Sequence, residues 1–529
     1  MLRLRPETLT ELLEGAAAQA PDAVAIAGPR RRLGYAQFAA AARRVAEGLA
    51  REGVGPGDRV AVWMPNRPEY LVLQFALARL GACAVHVNTR FRPAEVAHLL
   101  GRARPSALAT AWGFPGVDFP ALLAEVAADA RAPLRFVVGL DAGGAPRLAG
   151  LPVLPWEALD GAPERARDDA APDSACLTFT TSGTTSGPKL VLHRQGAIAG
   201  HAHDVMRHIG TDAAGAAVLI AVPLCGTYGN ASAMCGIAGG AKLVLMDRWD
   251  AQAADALIRA EGVTHWHAID EMIEEVLEVA EGRPYAPFRV TGIAGLRPGV
   301  ARLYARAEAL NLAPLNLYGS SEMQALYAYQ DPADPVRRTL GGGRPVNADA
   351  QVRARDPATG QFAERGELEF RAPSMFIGYL NDEAATAKAM TPDGFFRSGD
   401  LGAVHPDGFG FDFETRMGDA LRLSGFLVNP EEIEAFLKRQ PGVREAQVVG
   451  VEGGTVAIAF VQPEAGATLE EAALLEACRR DLARFKVPRR ILPIAEFPVT
   501  QSPNGVKIQR VKLREMAEQV AAGASRQGS

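Results

Sequence analysis

ACLTFTTSGTTSGPKLVLH, residues 175–193, sets two apolar runs on either side of Thr180–Lys189, a stretch almost wholly small, hydroxyl-bearing or glycine that closes on a lysine. The first run is expected to be a strand and the stretch the loop that leaves it. Gly183 and Gly187 let backbone N–H groups turn toward a ligand, and Thr181, Ser182, Thr184, Thr185 and Ser186 add hydroxyls. Such a loop suits phosphate oxygens. It is not a Walker A loop, because Leu190 follows Lys189 where Ser or Thr would stand. A merely flexible polar linker is the bland alternative, and apolar strands on both sides argue against it.

The surroundings supply the frame. DRVAVWMP (58–65) reads as a buried strand, PEYLVLQFALARLGA (68–82) has helical spacing, and ACAVHVN (82–88) is strand-like again. AAVLIAVPL (216–224), AKLVLMD (241–247) and VTHWHAI (263–269) repeat that rhythm, which predicts parallel sheets covered by helices. Near residue 340 the pattern changes to short antiparallel strands with Asp-Pro and Thr-Gly turns, and the last hundred residues read as a small α+β unit. There Asn429 is placed to cap a helix that opens on Pro430, with Ile433, Phe436 and Leu437 on one face.

At 529 residues the chain is too long for one core, and two or more domains are expected. Hydrophobic residues are 48% and charged residues 22%, the balance of a soluble globular protein. A net charge of -5 without a basic stripe excludes nucleic acid as a partner class. Cysteines number 5 and none forms a C-x-x-C, which predicts free thiols in a reducing, cytoplasmic setting. The N-terminus lacks the apolar segment of a signal peptide, and no run is long enough to span a membrane.

The loop resembles the T-S-G-T-T-G-x-P-K type of signature of the adenylate-forming superfamily, acyl-CoA synthetases among them, with Ser186 where glycine is usual. Further motifs follow in the family's order: NLYGSSEM (316–323), GELEFRAPSMFIGYLND (366–382), FFRSGDLG (395–402), TRMGDALRLSGFLVNPEEIE (415–434), FKVPRR (485–490) and PNGVKIQR (503–510). The resemblance covers nearly the whole chain. It implies a large N-terminal α/β domain of parallel-rich sheets with a small β-barrel part (1–415), a hinge (416–420) and a small mobile C-terminal α+β domain (421–529).

It also implies ATP, Mg²⁺ and coenzyme A, and a small carboxylic acid as substrate. The acid attacks the α-phosphate of ATP, pyrophosphate leaves, and a thiol takes the acyl group from the adenylate. Residues 181–187 and Lys189 would close over the β- and γ-phosphates. Tyr318 and Gly319 would border adenine, Ser320 and Ser321 would meet phosphate, and Glu322 would hold Mg²⁺. Asp400 would take the ribose hydroxyls, Arg416 ribose or phosphate, and Lys507 would bridge carboxylate and α-phosphate. Ser424 and Gly425 would lie on the coenzyme A path. Tyr228, Asp270, Ile293, Ala294, Gly295 and Met323 would line the acyl pocket, for an aromatic or medium-length acid.

Departures from the family pattern are informative. Gly418, with Asp419 after it, stands where the family pivot is usually Asp or Lys. Cys225-Gly226 replaces a Phe-His pair that gates the thiol tunnel. Val506 separates Gly505 from Lys507. Asp270 falls where a proline-containing segment is usual, either facing the substrate or capping the helix from Glu271. His201, His203, His208, His265 and His267 have no metal-ligand spacing. The chain continues only briefly past Lys507, which reads against a fused carrier domain. The alternatives carried forward are transfer to a separate carrier protein and a non-catalytic nucleotide-binding regulator. A homodimer is compatible with the resemblance.

Overall fold

The computed structural model describes residues 7–181, 188–294, 300–417, 421–423, 426–428, 430–451, 455–482, 486–502 and 505–526; the side chains of 422, 426, 427, 432, 500–502, 505–507 and 521–526 are not among them. Two compact units are present. One comprises 1–295, 301–352 and 370–396, the other 296–300, 353–369 and 397–529.

The first unit holds two sheets. In one, strands Cys83–His86, Arg59–Trp63, Ala107–Ala111, Phe136–Leu140 and Leu151–Pro155 run parallel, and Ala175–Thr181 joins parallel to Cys83–His86. Lys189–Arg194 turns back antiparallel on Ala175–Thr181, and the short strand Gly378–Tyr379 closes that edge. The second sheet runs parallel through Val24–Ala27, Lys242–Leu245, Ala217–Ile220, His265–Ala268, Val290–Ile293 and Pro314–Ser320. It ends antiparallel with Gln324–Tyr329 and Gly342–Pro345.

Strands Arg59–Trp63, Phe136–Leu140 and Ala217–Ile220 are buried on both faces, and their sequences are accordingly near-continuous apolar runs. Helix Pro68–Arg79 starts on a proline at its first position and is buried along its whole length. It lacks a polar face because helix Tyr35–Arg51, whose buried residues include Tyr35, Phe38, Val45 and Leu49, packs over it; the Phe38 and Phe75 rings meet edge to face at 5.4 Å.

In the second unit, Gln351–Arg355 pairs antiparallel with Phe362–Ala363 around an Asp356 turn, and Phe396–Val404 pairs with Phe411–Arg416. Glu369, wholly buried, is held by Arg353 at 2.6 Å and Arg355 at 2.8 Å. The C-terminal part sets Val443–Val451 against Val456–Pro463, with Arg490–Pro493 parallel alongside. Helices Pro430–Lys438 and Glu471–Asp481 cover one face through Ile433, Leu437 and Cys478; Leu513 and Ala517 of Arg510–Arg526 cover the other. The Asn429 cap lies outside the described residues. No described helix is long and apolar enough to cross a membrane.

Candidate active site

Thr181 and Lys189 face each other across the antiparallel pair that carries the phosphate-type loop. Ser182, Gly183, Thr184, Thr185, Ser186 and Gly187 lie outside the described residues, so the structure describes the loop's two posts. At the second post the Lys189 ammonium sits 4.6 Å from the ring centroid of Tyr379. The Tyr379 hydroxyl donates to Glu322 Oε1 at 2.8 Å. One tyrosine thus joins the loop's cation to the carboxylate of NLYGSSEM.

Glu322 occupies the turn between strands Pro314–Ser320 and Gln324–Tyr329 and is 8% exposed. Its backbone carbonyl accepts from Phe376 N at 2.8 Å, and its Oε2 has no partner among the described residues. Two histidines fix the turn. His193 Nε2 lies 2.7 Å from Ser321 O, and His201 Nε2 lies 2.7 Å from Ala325 O. A carbonyl only accepts, so both rings carry a proton on Nε2. Burial holds His193 down to about 4 and lowers His201 as well, so both are neutral at ordinary pH. Gln324 adds bonds to Ala197 O and Ser374 O, and Ala325 N donates to Thr227 Oγ1.

The turn is also strained. Gln324 (φ 71) and Leu326 (φ 64) are left-handed without being glycine, a conformation that costs roughly 1–3 kcal/mol each. Gly319 is required by space, since a Cβ there would stand 2.6 Å from Ala325 Cα. Tyr318 packs tilted on Phe370 with centroids 5.6 Å apart.

Of the residues expected at the acyl pocket, Tyr228 and Asp270 lie in helices Thr227–Ala238 and Asp270–Val279, and Ile293 ends strand Val290–Ile293. The Tyr228 hydroxyl lies 2.9 Å from Gly292 O and 3.1 Å from Ala268 O. Burial, with Asp270 nearby, pushes its pKa well above the usual range. Ile293 and Met323 are fully buried, Ala294 is exposed, and Gly295 lies outside the described residues. Asp270 does not cap a helix starting at Glu271. It is itself the first residue of helix Asp270–Val279, Ile269 takes the cap position, and the Asp270 side chain is buried at 3% exposure. The histidines form no metal group: His265 meets Ile209 O and Thr264, while His267 meets Ser232 Oγ and Tyr329 OH. No cluster of metal-ligating side chains occurs among the described residues.

In the second unit, Asp400 and Arg416 are direct register partners. Arg416 Nε lies 2.9 Å from Asp400 Oδ1, and Asp400 N donates to Ser398 Oγ at 3.0 Å. Asp400 is 2% exposed whereas the Arg416 side chain is 59% exposed, so the pair presents a buried carboxylate behind an exposed cation that also donates to Ser398 O at 3.0 Å. Lys507 lies in the hairpin Val499–Ser502/Gly505–Ile508 opposite Thr500; its side chain, like Gly418, Asp419, Ser424 and Gly425, is outside the described residues.

These residues fit a nucleotide triphosphate with a hard cation. Glu322 offers a free carboxylate oxygen, the ligand type that Mg²⁺ prefers. Ser320 Oγ is buried without a hydrogen-bond partner among the described residues. Tyr379 and His193 went unnoticed in the sequence, and His201 was weighed only as a metal ligand. Their signal was present only as an aromatic in GYLND and as histidines 128 and 124 residues before the carbonyls they hold.

Residues 13–380 match the AMP-binding enzyme family and residues 432–503 its C-terminal domain, so the chain belongs to the AMP-binding enzymes. A relative from Rhodococcus jostii, a ligase of coenzyme A with 3-[(3aS,4S,7aS)-7a-methyl-1,5-dioxo-octahydro-1H-inden-4-yl]propanoate, is 30% identical over 97% of this chain and 99% of its own. Indoleacetate–CoA ligase of Aromatoleum aromaticum is 30% identical over 93% of this chain and 95% of its own. ATP-bound MatB from Rhodopseudomonas palustris shares the fold with a TM-score of 0.80, at 24% identity over 97% of this chain and 99% of its own.

Proposed function

We propose that this chain activates a ring-bearing or medium-length carboxylic acid and delivers its acyl group to coenzyme A. The class of reaction is that of an AMP-forming acid–CoA ligase. The carboxylate oxygen bonds to the α-phosphorus of ATP and pyrophosphate leaves; the coenzyme A sulfur then bonds to the acyl carbon, AMP leaves, and the thiol proton goes to solvent.

The observation that carries this reading is the Lys189–Tyr379–Glu322 chain at the foot of the phosphate-type loop. Both reactants are anions, so the protein's task is to neutralise and position charge. Lys189 and the 181–187 loop hold the β- and γ-phosphates. Glu322 holds Mg²⁺, which supplies screening of the triphosphate charge. Ser320 and Ser321 give hydroxyls to phosphate, and Tyr318 with Gly319 borders adenine. We assign Asp400 and Arg416 to ribose and phosphate, and Lys507 to the developing charge between carboxylate and α-phosphate. Ser424 and Gly425 stay on the coenzyme A path, and Gly418-Asp419 as the pivot of the 416–420 hinge. We place the acid near Tyr228, Asp270, Ile293, Ala294, Gly295 and Met323. Two relatives that act on ring-bearing acids lean the same way. Five buried free thiols suit a reducing compartment, and we place the enzyme in the cytoplasm.

A panel of aryl and aliphatic acids with ATP and Mg²⁺, read as pyrophosphate with and without coenzyme A, tests this. Coenzyme A-dependent turnover on ring-bearing or medium-chain acids is expected. Turnover confined to acetate-sized acids would overturn the substrate assignment, and release that coenzyme A does not stimulate would replace it by a carrier protein as acceptor. Gly418→Pro should impair thioester formation more than adenylation, and equal loss in both would remove the pivot.

A further inference from the structure

Away from this site, the first unit holds a second cleft of ≈ 180 Å³. It lies where the carboxyl ends of two parallel strands come together: Phe136–Leu140 of the first sheet leads into Asp141, and Lys242–Leu245 of the second leads toward Asp247. Such strand ends are where open α/β sheets take ligands. Arg67 also lines it, capping helix Pro68–Arg79 without a side-chain bond to that helix, so the helix adds its positive end. Asp141 stands at φ 56, a strained conformation for a residue other than glycine.

Two donors in this cleft are unused. Arg67 is 5% exposed; its Nη1 meets Asp141 Oδ2 at 2.7 Å, but its Nη2 is buried without an acceptor. Trp156 is also 5% exposed, and its indole Nε1–H is buried without an acceptor. A buried donor left unpaired costs about 1–3 kcal/mol, so two lining one cleft mark the place of a missing acceptor. Arg30 and Arg31 are already engaged, Arg30 with Asp141 at 2.8 Å and Arg31 with Asp160 at 3.1 Å.

Charge narrows the ligand. Three guanidiniums line the cleft, with the four carboxylates of Glu69, Asp141, Glu157 and Asp247. That balance repels a polyanion. The side chains of Glu157, which is exposed, and Asp247, which is half-buried, have no ion pair or hydrogen bond among the described residues. The cleft therefore offers vacant donors in its depth and vacant carboxylates toward solvent.

We propose that it binds a small zwitterion of the free amino-acid class, its carboxylate on Arg67 and Trp156 and its ammonium toward Asp247 and Glu157. This site is independent of the ligase assignment.

The five tryptophans make it testable on the whole protein. With ¹⁵N-labelled tryptophan, five indole resonances are expected, and Trp156→Phe assigns the one that matters. Titration with glycine should move that resonance downfield and saturate at millimolar concentration, in wild type and in Lys189→Ala alike. Acetate should bind more weakly, and methylammonium should leave the resonance in place. Asp247→Asn should weaken glycine about tenfold and leave acetate unchanged. Absence of a saturable glycine shift would overturn the site. Acetate matching glycine, with Asp247→Asn without effect, would overturn the zwitterion and leave a plain oxyanion pocket.

Discussion

Tyr379 makes two contacts of different kinds, and its hydroxyl can be removed without touching its ring. Tyr379→Phe keeps the face that Lys189 lies over and frees Glu322 Oε1. Partners of this kind typically contribute 10–100-fold to metal affinity or activity, so the Mg²⁺ concentration for half-maximal pyrophosphate release should rise about tenfold. Lys189→Ala should instead raise the KM for ATP, with an unchanged melting temperature, and unaltered ATP kinetics would remove Lys189 from the phosphates. The motif residues themselves were legible because their chemistry is local: Glu322, Asp400 and Lys189 sit in short strings whose composition advertises them. Tyr379 was not, because its role exists only after strand Gly378–Tyr379 has docked on Lys189–Arg194. Asp270 misled for a related reason. An Asp before a helical run usually caps, but this helix begins at Asp270 itself and Ile269 takes the cap position, which the sequence does not announce.

At the scale of elements, the turn between Pro314–Ser320 and Gln324–Tyr329 is where the sequence pattern and the structure part most. The sequence marked this turn only as the motif NLYGSSEM, and nothing in QALYAY announced two left-handed residues. They are held there by His201, Gln324 and Thr227, which over-determine the backbone. Gly319→Ala should therefore displace the turn rather than fit it. Overpacking of this kind costs about 1–3 kcal/mol, and adenylation should fall more steeply than thermal stability does. Tyr228→Phe tests the neighbouring strand ends. Losing the hydroxyl leaves Gly292 O and Ala268 O short of a donor, and a urea titration should show about 1–3 kcal/mol of lost stability.

Over the whole molecule, buried neutral histidines set the acid limit. Burial holds His86 and His267 near 3 and His193 near 4, each below the ordinary 6.5. The unfolded chain takes up these protons from about pH 6.5 downward and the folded chain does not, so stability is full above that pH and falls as pH drops toward 4. Each ring contributes up to about 1.4 kcal/mol per pH unit in that window. His86, with neither nitrogen hydrogen-bonded, is the one to remove: His86→Leu should flatten the pH dependence of the urea midpoint by one ring's share.

The two parallel sheets of the first unit were readable from their apolar rhythm and share one apolar core, but the polar contacts that fix their relative position at the site were not readable, because they join residues far apart in sequence. His193 and Tyr379 belong to the first sheet, and the carbonyl and carboxylate they hold belong to the turn of the second. Lys189 and Glu322, proposed for the phosphates and for Mg²⁺, are thus linked across a seam, and a ligand that grips both should pull it tight. Nucleotide binding should slow amide exchange along 190–193 and 315–318 together, and the costs of Lys189→Ala and Glu322→Gln should fail to add. On the proposed assignment the bound triphosphate adds a further grip across this seam, so departure of pyrophosphate should slacken it before the thiol arrives.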